Sequence, residues 1–186
     1  MEQSESNSKA VESILRDPSR NNVETILRDG SRCDLRPPRY DDVDRIIDYF
    51  ERLSPASRGF YHPFEFVRTE AERIARETPS RGRYDVLAID TSGERVAGHV
   101  FYRGDDGHNG YPELGLGIAD DYHGRGLGRI LMRTAIAAAR QEGWNGLALC
   151  VFKTNSRAVA LYTSCGFVVT GETDDRKGHT MRLSFA

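Results

Sequence analysis

The densest chemistry in the chain lies in Ile118-Ala119-Asp120-Asp121-Tyr122-His123-Gly124-Arg125-Gly126-Leu127-Gly128-Arg129, where an apolar strand-like run passes through three alternating glycines into an amphipathic helical pattern. Glycines let the backbone curl so that successive N–H groups point inward. The helix start adds its unpaired amides and the positive end of its dipole. A pyrophosphate is the natural ligand, with Arg125 and Arg129 adding charge whose worth at an open surface is modest. No Gly-Lys-Ser/Thr follows, and both the third glycine at dinucleotide-fold spacing and the acidic residue about twenty positions on are missing, which disfavours ATP and NAD. The plain alternative is that the glycines only permit a tight strand-to-helix connection.

Two flanking segments carry further signals. Upstream, Glu113-Leu114-Gly115-Leu116-Gly117-Ile118-Ala119 is an apolar alternation interrupted by two glycines, which in a strand mark a bulge or a close backbone approach. If this strand separates from its neighbour, its N–H and C=O groups are open to an extended, amide-containing ligand; otherwise it is a poor edge strand. Downstream, Asn155, Ala158 or Val159, and Tyr162 fall at i, i+3/i+4 and i+7, so one helical face carries a polar head, a small floor and a phenol. Taken singly, Asn155 reads as a helix N-cap and Tyr162 as core.

Periodicity supplies the elements that must position these groups. A hairpin is predicted to turn at Asp29-Gly30, and residues 33–37 read as a strand stopped by Pro37-Pro38. Helices are predicted near 41–53, with Val43, Ile46, Ile47 and Phe50 on one face, and near 64–77. Strands at 85–89 and 96–102 flank a turn at Ser92-Gly93, and a second turn over 104–110 leads into a strand at 113–119. A helix over 127–142 ends at Gly143. A strand at 146–152, a helix at 156–164 and two strands around Asp174-Asp175 close the chain. This order indicates a mixed α/β domain around one central sheet rather than a doubly wound fold, which requires strictly repeating β-α units. Residues 1–22 lack the apolar content to order themselves and read as a flexible tail, leaving 23–186 as a single domain. A seven-residue echo, 14–20 against 26–32, is too short to be a repeat architecture.

Composition excludes several classes. In 186 residues, 26 Lys+Arg against 28 Asp+Glu leave a net charge of −2, which does not suit non-specific nucleic-acid binding. No stretch approaches the ~18 consecutive apolar residues of a membrane span, and the first thirty residues lack a secretory layout, so a cytoplasmic protein without membrane attachment is expected. Cys33, Cys150 and Cys165 are an odd number at no metal-like spacing, and His99, His108 and His179 show none either, so neither a disulfide framework nor a metal is expected.

With these residues in hand, the chain resembles the GNAT superfamily of acetyl-CoA-dependent N-acetyltransferases over nearly all of residues 31–186. The family's Gln/Arg-x-x-Gly-x-Gly/Ala motif falls on His123-Gly124-Arg125-Gly126-Leu127-Gly128, with histidine at the Gln/Arg position. Its Asn-x-x-Ala-x-x-Leu-Tyr-x-x-x-Gly-Phe motif is matched by Asn155, Ala158, Leu161, Tyr162, Gly166 and Phe167. Asp29-Gly30-Ser31-Arg32, Leu35-Arg36-Pro37, Leu53-Ser54-Pro55-Ala56-Ser57-Arg58 and the spacing from Glu113 to His123 are similar to the catalytic domain of bacterial protein lysine acetyltransferases.

The resemblance implies a mostly antiparallel sheet of about seven strands, splayed between the fourth and fifth, with about four flanking helices. It implies acetyl-CoA as co-substrate, held by Leu116, Gly117, Ile118, His123, Gly124, Arg125, Gly126, Leu127, Gly128, Arg129, Asn155 and Tyr162. Glu113 would be the general base and Tyr162 the proton donor to the departing thiolate, with the backbone N–H of Ile118 meeting the thioester oxygen. The acceptor, a small-molecule amine or a protein lysine, would meet Phe60, Tyr61, His62 and the 104–110 turn. No nucleic acid, membrane or metal is implied, and the protein would act as a monomer or homodimer. A non-catalytic acyl-CoA-binding sensor or interaction module is the competing class.

Overall fold

The computed structural model of the protein describes residues 22–61, 64–76, 80–104 and 109–185. The N-terminal tail apart from residue 22, His62 and residues 105–108 of the expected acceptor turn lie outside them. Eight strands form one sheet: β1 (Val23–Ile26), β2 (Arg32–Arg36), β3 (Arg83–Asp90), β4 (Arg95–Arg103), β5 (Glu113–Ile118), β6 (Gly146–Phe152), β7 (Val168–Glu172) and β8 (Gly178–Ser184), in the order β1-β2-β3-β4-β5-β6-β8-β7. Every neighbouring pair is antiparallel except β5 and β6. The strand beyond the expected seven is β1, the first arm of the hairpin at Asp29-Gly30. Asp29 accepts hydrogen bonds from the N–H and hydroxyl of Ser31 there, and Gly30 takes a φ of 85°.

Among the described residues five helices accompany the sheet: α1 (Val43–Arg52), α2 (Pro55–Phe60), α3 (Arg68–Arg76), α4 (Leu127–Gln141) and α5 (Ser156–Ser164). The helix not expected from periodicity is α2, whose six residues are too few to show an apolar stripe. Its start is nevertheless written locally, because Ser54 accepts from the Ser57 N–H as N-cap and Pro55 occupies the first turn. Among the described residues no helix is long and apolar enough to cross a membrane.

Residues 84–89 and 96–102 are buried without alternation, so β3 and β4 are covered on both faces. A Cβ at Gly98 would meet Leu131 of α4, whereas one at Gly117 would meet Tyr49 of α1. Gly98 pairs with Ile118, and Ile118 and Gly117 point to opposite faces, so α1 and α4 sandwich the sheet. The start of α1 is pinned to β2 by a buried two-pronged pair, Arg36 Nη1 to Asp42 Oδ2 at 2.5 Å and Nη2 to Oδ1 at 2.7 Å. Burial pushes the Asp42 carboxyl up, but the hydrogen bonds and charge of Arg36 outweigh it and hold the pKa below 3.8.

The feature that matters for function is the β5–β6 seam. β4 and β5 pair along the whole of β5, while β5 and β6 share one bridge, Glu113 with Ala148. Beyond it the strands part, as the resemblance implied.

Candidate active site

The loop between β5 and α4 leaves a run of backbone amides open. Gly124 and Gly126 have φ of 79° and 89°, a region in which a side chain costs strain. Gly126 is the N-cap of α4 and offers no side-chain cap. Among the described residues, the N–H groups from Gly124 through Gly128 have no acceptor. By contrast, Asn155 caps α5 through Oδ1, which accepts from the Ala158 N–H at 3.2 Å. The third glycine serves packing. A Cβ at Gly128 would stand 3.1 Å from Leu161, so its absence lets α4 and α5 approach.

Side chains far away in sequence hold this loop. Asp120 accepts from the Ser54 N–H (3.0 Å), the Ser54 hydroxyl (2.8 Å) and the Ser57 hydroxyl (2.8 Å), tying α2 to the loop. Burial raises its pKa, but these hydrogen bonds prevail and the carboxyl stays below its ordinary value. On the other side the β1–β2 turn docks: the Arg28 N–H donates to the Arg125 carbonyl at 3.0 Å, and Arg125 pairs with Asp29 at 2.9 Å. Arg129 donates to the Ser164 hydroxyl at 2.9 Å. Both arginines expected to add charge for a phosphate therefore have protein partners, and what the loop leaves without a partner among the described residues is its amides. His123 directs Nε2 to the Ile118 carbonyl at 3.1 Å, covering the end of β5.

The open edge of β5 follows from its register. Ala119 donates to the Ala97 carbonyl, and residues two apart repeat that direction, so the N–H groups of Leu116 and Ile118 face β6 beyond the single bridge. Gly115 and Gly117 prove to accommodate protein rather than a bulge. A Cβ at Gly115 would lie 2.3 Å from the Phe101 ring, and one at Gly117 would lie 2.3 Å from the Tyr49 hydroxyl.

Two cavities meet in the seam. One of about 400 Å³ is lined by Ile118, His123, Asn155 and Ala158, next to the glycine loop. The other, about 620 Å³, is lined by Glu113, Phe101, Arg103 and the turn at Asp174-Asp175. They share Phe60, Tyr61, Leu116, Cys150, Val151 and Tyr162, so the space beside His123 and Asn155 adjoins the space beside Glu113. Tyr162 is only 7% exposed, its ring centroid 6.1 Å from that of Phe167, and its hydroxyl has no partner among the described residues. Burial pushes its pKa up to about 12, so the phenol remains a proton donor at neutral pH.

The Acetyltransferase (GNAT) family profile matches residues 44–167. The chain belongs to this acetyltransferase family. Acetyltransferase PA5475 of Pseudomonas aeruginosa is 29% identical over 154 residues, covering 81% of this chain and 82% of its own. The L-methionine sulfoximine/L-methionine sulfone acetyltransferase of the same organism is 27% identical over 99 residues, 52% of this chain and 58% of its own. The mycothiol acetyltransferase of an Arthrobacter species is 33% identical over 86 residues, of which this chain spans 44% of itself and only 26% of that protein. Among solved structures, the GNAT domain of S. lividans PAT superposes with a TM-score of 0.77 at 21% identity, covering 87% of this chain and 96% of that one. At that identity the likeness is one of fold.

Of the site residues expected from sequence, Phe60, Tyr61, Glu113, Leu116, Gly117, Ile118, His123, Asn155 and Tyr162 line the two cavities, whereas residues 124–129 line neither. His62 lies outside the described residues. Tyr61 is 9% exposed and belongs to the wall, its hydroxyl 3.2 Å from Nδ1 of His99. His99 Nε2 meets Asp85 Oδ1 at 2.8 Å, so with an ionised Asp85 the proton sits on Nε2 and Tyr61 donates to Nδ1. Phe60, 42% exposed, instead reaches across the seam to Phe152, with ring centroids 6.1 Å apart. Sequence reasoning missed Asp120, Cys150 and the Asp85-His99-Tyr61 chain. The sequence does hold Ser54-Pro55 as a helix-start signal, but nothing in it says that the same serine latches a loop sixty-six residues away.

Proposed function

We propose that the protein is an N-acetyltransferase that moves an acetyl group from acetyl-CoA to a primary amine by direct attack in a ternary complex. The observation that carries this reading is the run of amides from Gly124 to Gly128, without an acceptor among the described residues, which follows directly on His123 at the edge of the cavities lined by Tyr162 and Glu113. The amides receive the diphosphate, and the outward N–H groups of Leu116 and Ile118 pair with the extended amide-bearing arm as an added strand would. Among the described residues no group of three or more His, Cys, Asp or Glu could hold a metal ion, and the steps below use none.

A lysine-like amine with pKa about 10.4 is neutral in only about one molecule in 2,500 at pH 7, a cost of roughly 4.6 kcal/mol. Glu113, exposed at the first position of β5, takes that proton directly or through water. The amine nitrogen then bonds to the thioester carbon, and the Ile118 N–H stabilises the oxyanion. Collapse breaks the C–S bond, the thiolate takes the Tyr162 proton, and the second proton on the former amine nitrogen passes through water to return Tyr162 to its neutral form, while Glu113 gives its proton to solvent.

The test pairs binding with chemistry. CoA should raise the melting temperature where ATP and NAD do not, since a ligand at a hundred times its Kd stabilises by about 2.7 kcal/mol. Thiol release from acetyl-CoA should then appear with at least one amine in a panel. Stabilisation by ATP or NAD in place of CoA would overturn the reading of the loop, and CoA binding without release on any amine would make the protein a sensor.

A further inference from the structure

We propose that Tyr49 and Tyr61 are positioning residues for acetyl transfer: with the buried pair His99 and Asp85 behind them, they brace β5 at Gly117 and so fix the open N–H groups of Leu116 and Ile118 against the thioester carbonyl. The inference rests on the N-acetyltransferase reading and adds what holds its oxyanion donors still. Gly117 is the residue between the two N–H groups. A Cβ there would collide with the Tyr49 hydroxyl and stand 2.6 Å from the Tyr61 ring, so both side chains already lie against its Cα. The neighbouring sides are filled too. β4 pairs with β5 along this stretch, His99 opposite Gly117, and on the other face a Cβ at Gly128 of α4 would come within 3.8 Å of Leu116 and 3.9 Å of Ile118. Packed on three sides, the backbone at 116–118 is open only toward β6, with which β5 shares the single bridge at Glu113 and Ala148. Donors held in place before reaction stabilise an oxyanion better than donors that must move to meet it.

The polar groups of this brace are more than packing requires. Tyr49 is 1% exposed, and its hydroxyl has no hydrogen-bond partner among the described residues. A buried hydroxyl left unpaired is destabilising, and a phenylalanine would escape that penalty. What the oxygen does is occupy the place where any residue other than glycine at 117 would carry its Cβ. Tyr61 is fixed from its far end. Its hydroxyl donates to His99 Nδ1 at 3.2 Å, His99 Nε2 meets Asp85 Oδ1 at 2.8 Å, and Asp85 Oδ2 takes Arg103 Nη2 at 2.7 Å. His99 and Asp85 are both buried. Burial pushes the Tyr61 phenol well above its ordinary pKa, so it stays the donor to His99 at neutral pH. The rings of Phe64 and Phe66 pack on Tyr61 with centroids 6.0 and 6.2 Å away. One chain of contacts therefore runs from Asp85 on β3 through His99 on β4 to Tyr61, just after α2, and ends on Gly117 of β5.

The experiment records the infrared carbonyl band of bound acetyl-CoA, carbon-13-labelled at the thioester, in the binary complex, so that it needs no acceptor. Tyr49→Phe and Tyr61→Phe keep the rings and remove the oxygens. Tyr84→Phe is the control: it removes another buried, unpartnered hydroxyl, from a ring that stacks on Tyr102 and lines neither cavity. The wild-type band should lie below that of acetyl-CoA free in buffer, and both site variants should return it toward the free value. With an amine that is acetylated, their kcat should fall about tenfold while the Kd for CoA, which has no acetyl carbonyl, changes less than about threefold; a slip of about 1 Å at a reacting group can cost a hundredfold. Tyr49→Phe should show this at an unchanged or raised melting temperature, which separates positioning from stability, and Tyr84→Phe should leave band and kcat as they are. A band unmoved in Tyr49→Phe or Tyr61→Phe removes that residue from the brace. One unmoved in both, or moved equally in Tyr84→Phe, overturns the proposal, as does a loss confined to KM. If Tyr61→Phe melts too low to measure, Tyr49→Phe decides. If the wild-type chain binds no acetyl-CoA, the function proposed above fails and takes this inference with it, an outcome distinct from normal binding with an unmoved band.

Discussion

Replacing Tyr162 by Phe removes one oxygen and keeps the ring. Because the hydroxyl has no protein partner among the described residues, its loss strands no buried donor or acceptor, and the ring contact with Phe167 remains. Melting temperature and CoA affinity should therefore stay close to wild type. The effect falls on the step in which the thiolate departs. A thiol of pKa about 8.5 is already a fair leaving group, so a donor held beside it accelerates by about ten- to a hundredfold, which is about 1.4–2.7 kcal/mol of barrier. The assay is thiol release at saturating acetyl-CoA and amine, with CoA affinity by calorimetry on the same preparations. Expected is a kcat lowered ten- to a hundredfold with a Kd changed less than twofold. The alkaline limb adds an internal check. Burial keeps the phenol protonated up to about pH 12, so the wild-type rate should rise as the amine loses its proton and show no fall from Tyr162 below about pH 10. An unchanged kcat in Tyr162→Phe would remove the residue from the reaction, and a loss of CoA binding with a lowered melting temperature would make it structural.

Three further outcomes are expected. Glu113→Gln should lower kcat/KM at pH 7 by about a hundredfold or more, with the deficit narrowing as pH approaches the pKa of the amine; a constant deficit across the pH profile would argue against a base at Glu113. Gly126→Ala must hold an alanine at a φ of 89° beside the Arg28 side chain, costing about 1–2 kcal/mol, and should weaken CoA binding at least tenfold as measured by calorimetry. Asp42→Asn leaves Arg36 buried without its anion and should destabilise the chain by about 3–5 kcal/mol in urea unfolding. Since the folded-state pKa of Asp42 is depressed, its contribution should be fully present above the ordinary carboxyl pKa of 3.8. It should be lost as pH falls through the lower folded value, so wild type and variant converge in acid.

The parts of the site that were legible are those whose physics is local. A φ near +80° demands glycine wherever it occurs, so Gly124 and Gly126 mark a curled loop in the bare sequence, and the helix after it ends at Gln141 with Gly143 just beyond. Asn155 and Tyr162 share a helical face by spacing alone, and the limits of β6 and α5 match the periodicity. The resemblance to known acetyltransferases rests on these same local motifs, which is why it identified the family. Where local signals were short, reading failed. α2 has only six residues, and α3 begins at Arg68 rather than near 64 because the apolar pattern ahead of it belongs to Phe64 and Phe66, which pack on Phe50.

By itself, then, the sequence determined the order of the elements, the curled glycine loop and the polar and phenolic groups that follow it, because each depends on backbone angles and spacings within a few residues. Only the tertiary structure decided that Arg125 answers to Asp29, that Asp120 is held by Ser54 and Ser57, and that Gly115 and Gly117 make room for the rings of Phe101, Tyr49 and Tyr61. It also decided that β5 and β6 meet once and part, opening the passage between Glu113 and Tyr162. Those facts are pairings across tens of residues. They are selected by the shape of the whole core, and no period or propensity along the chain encodes them.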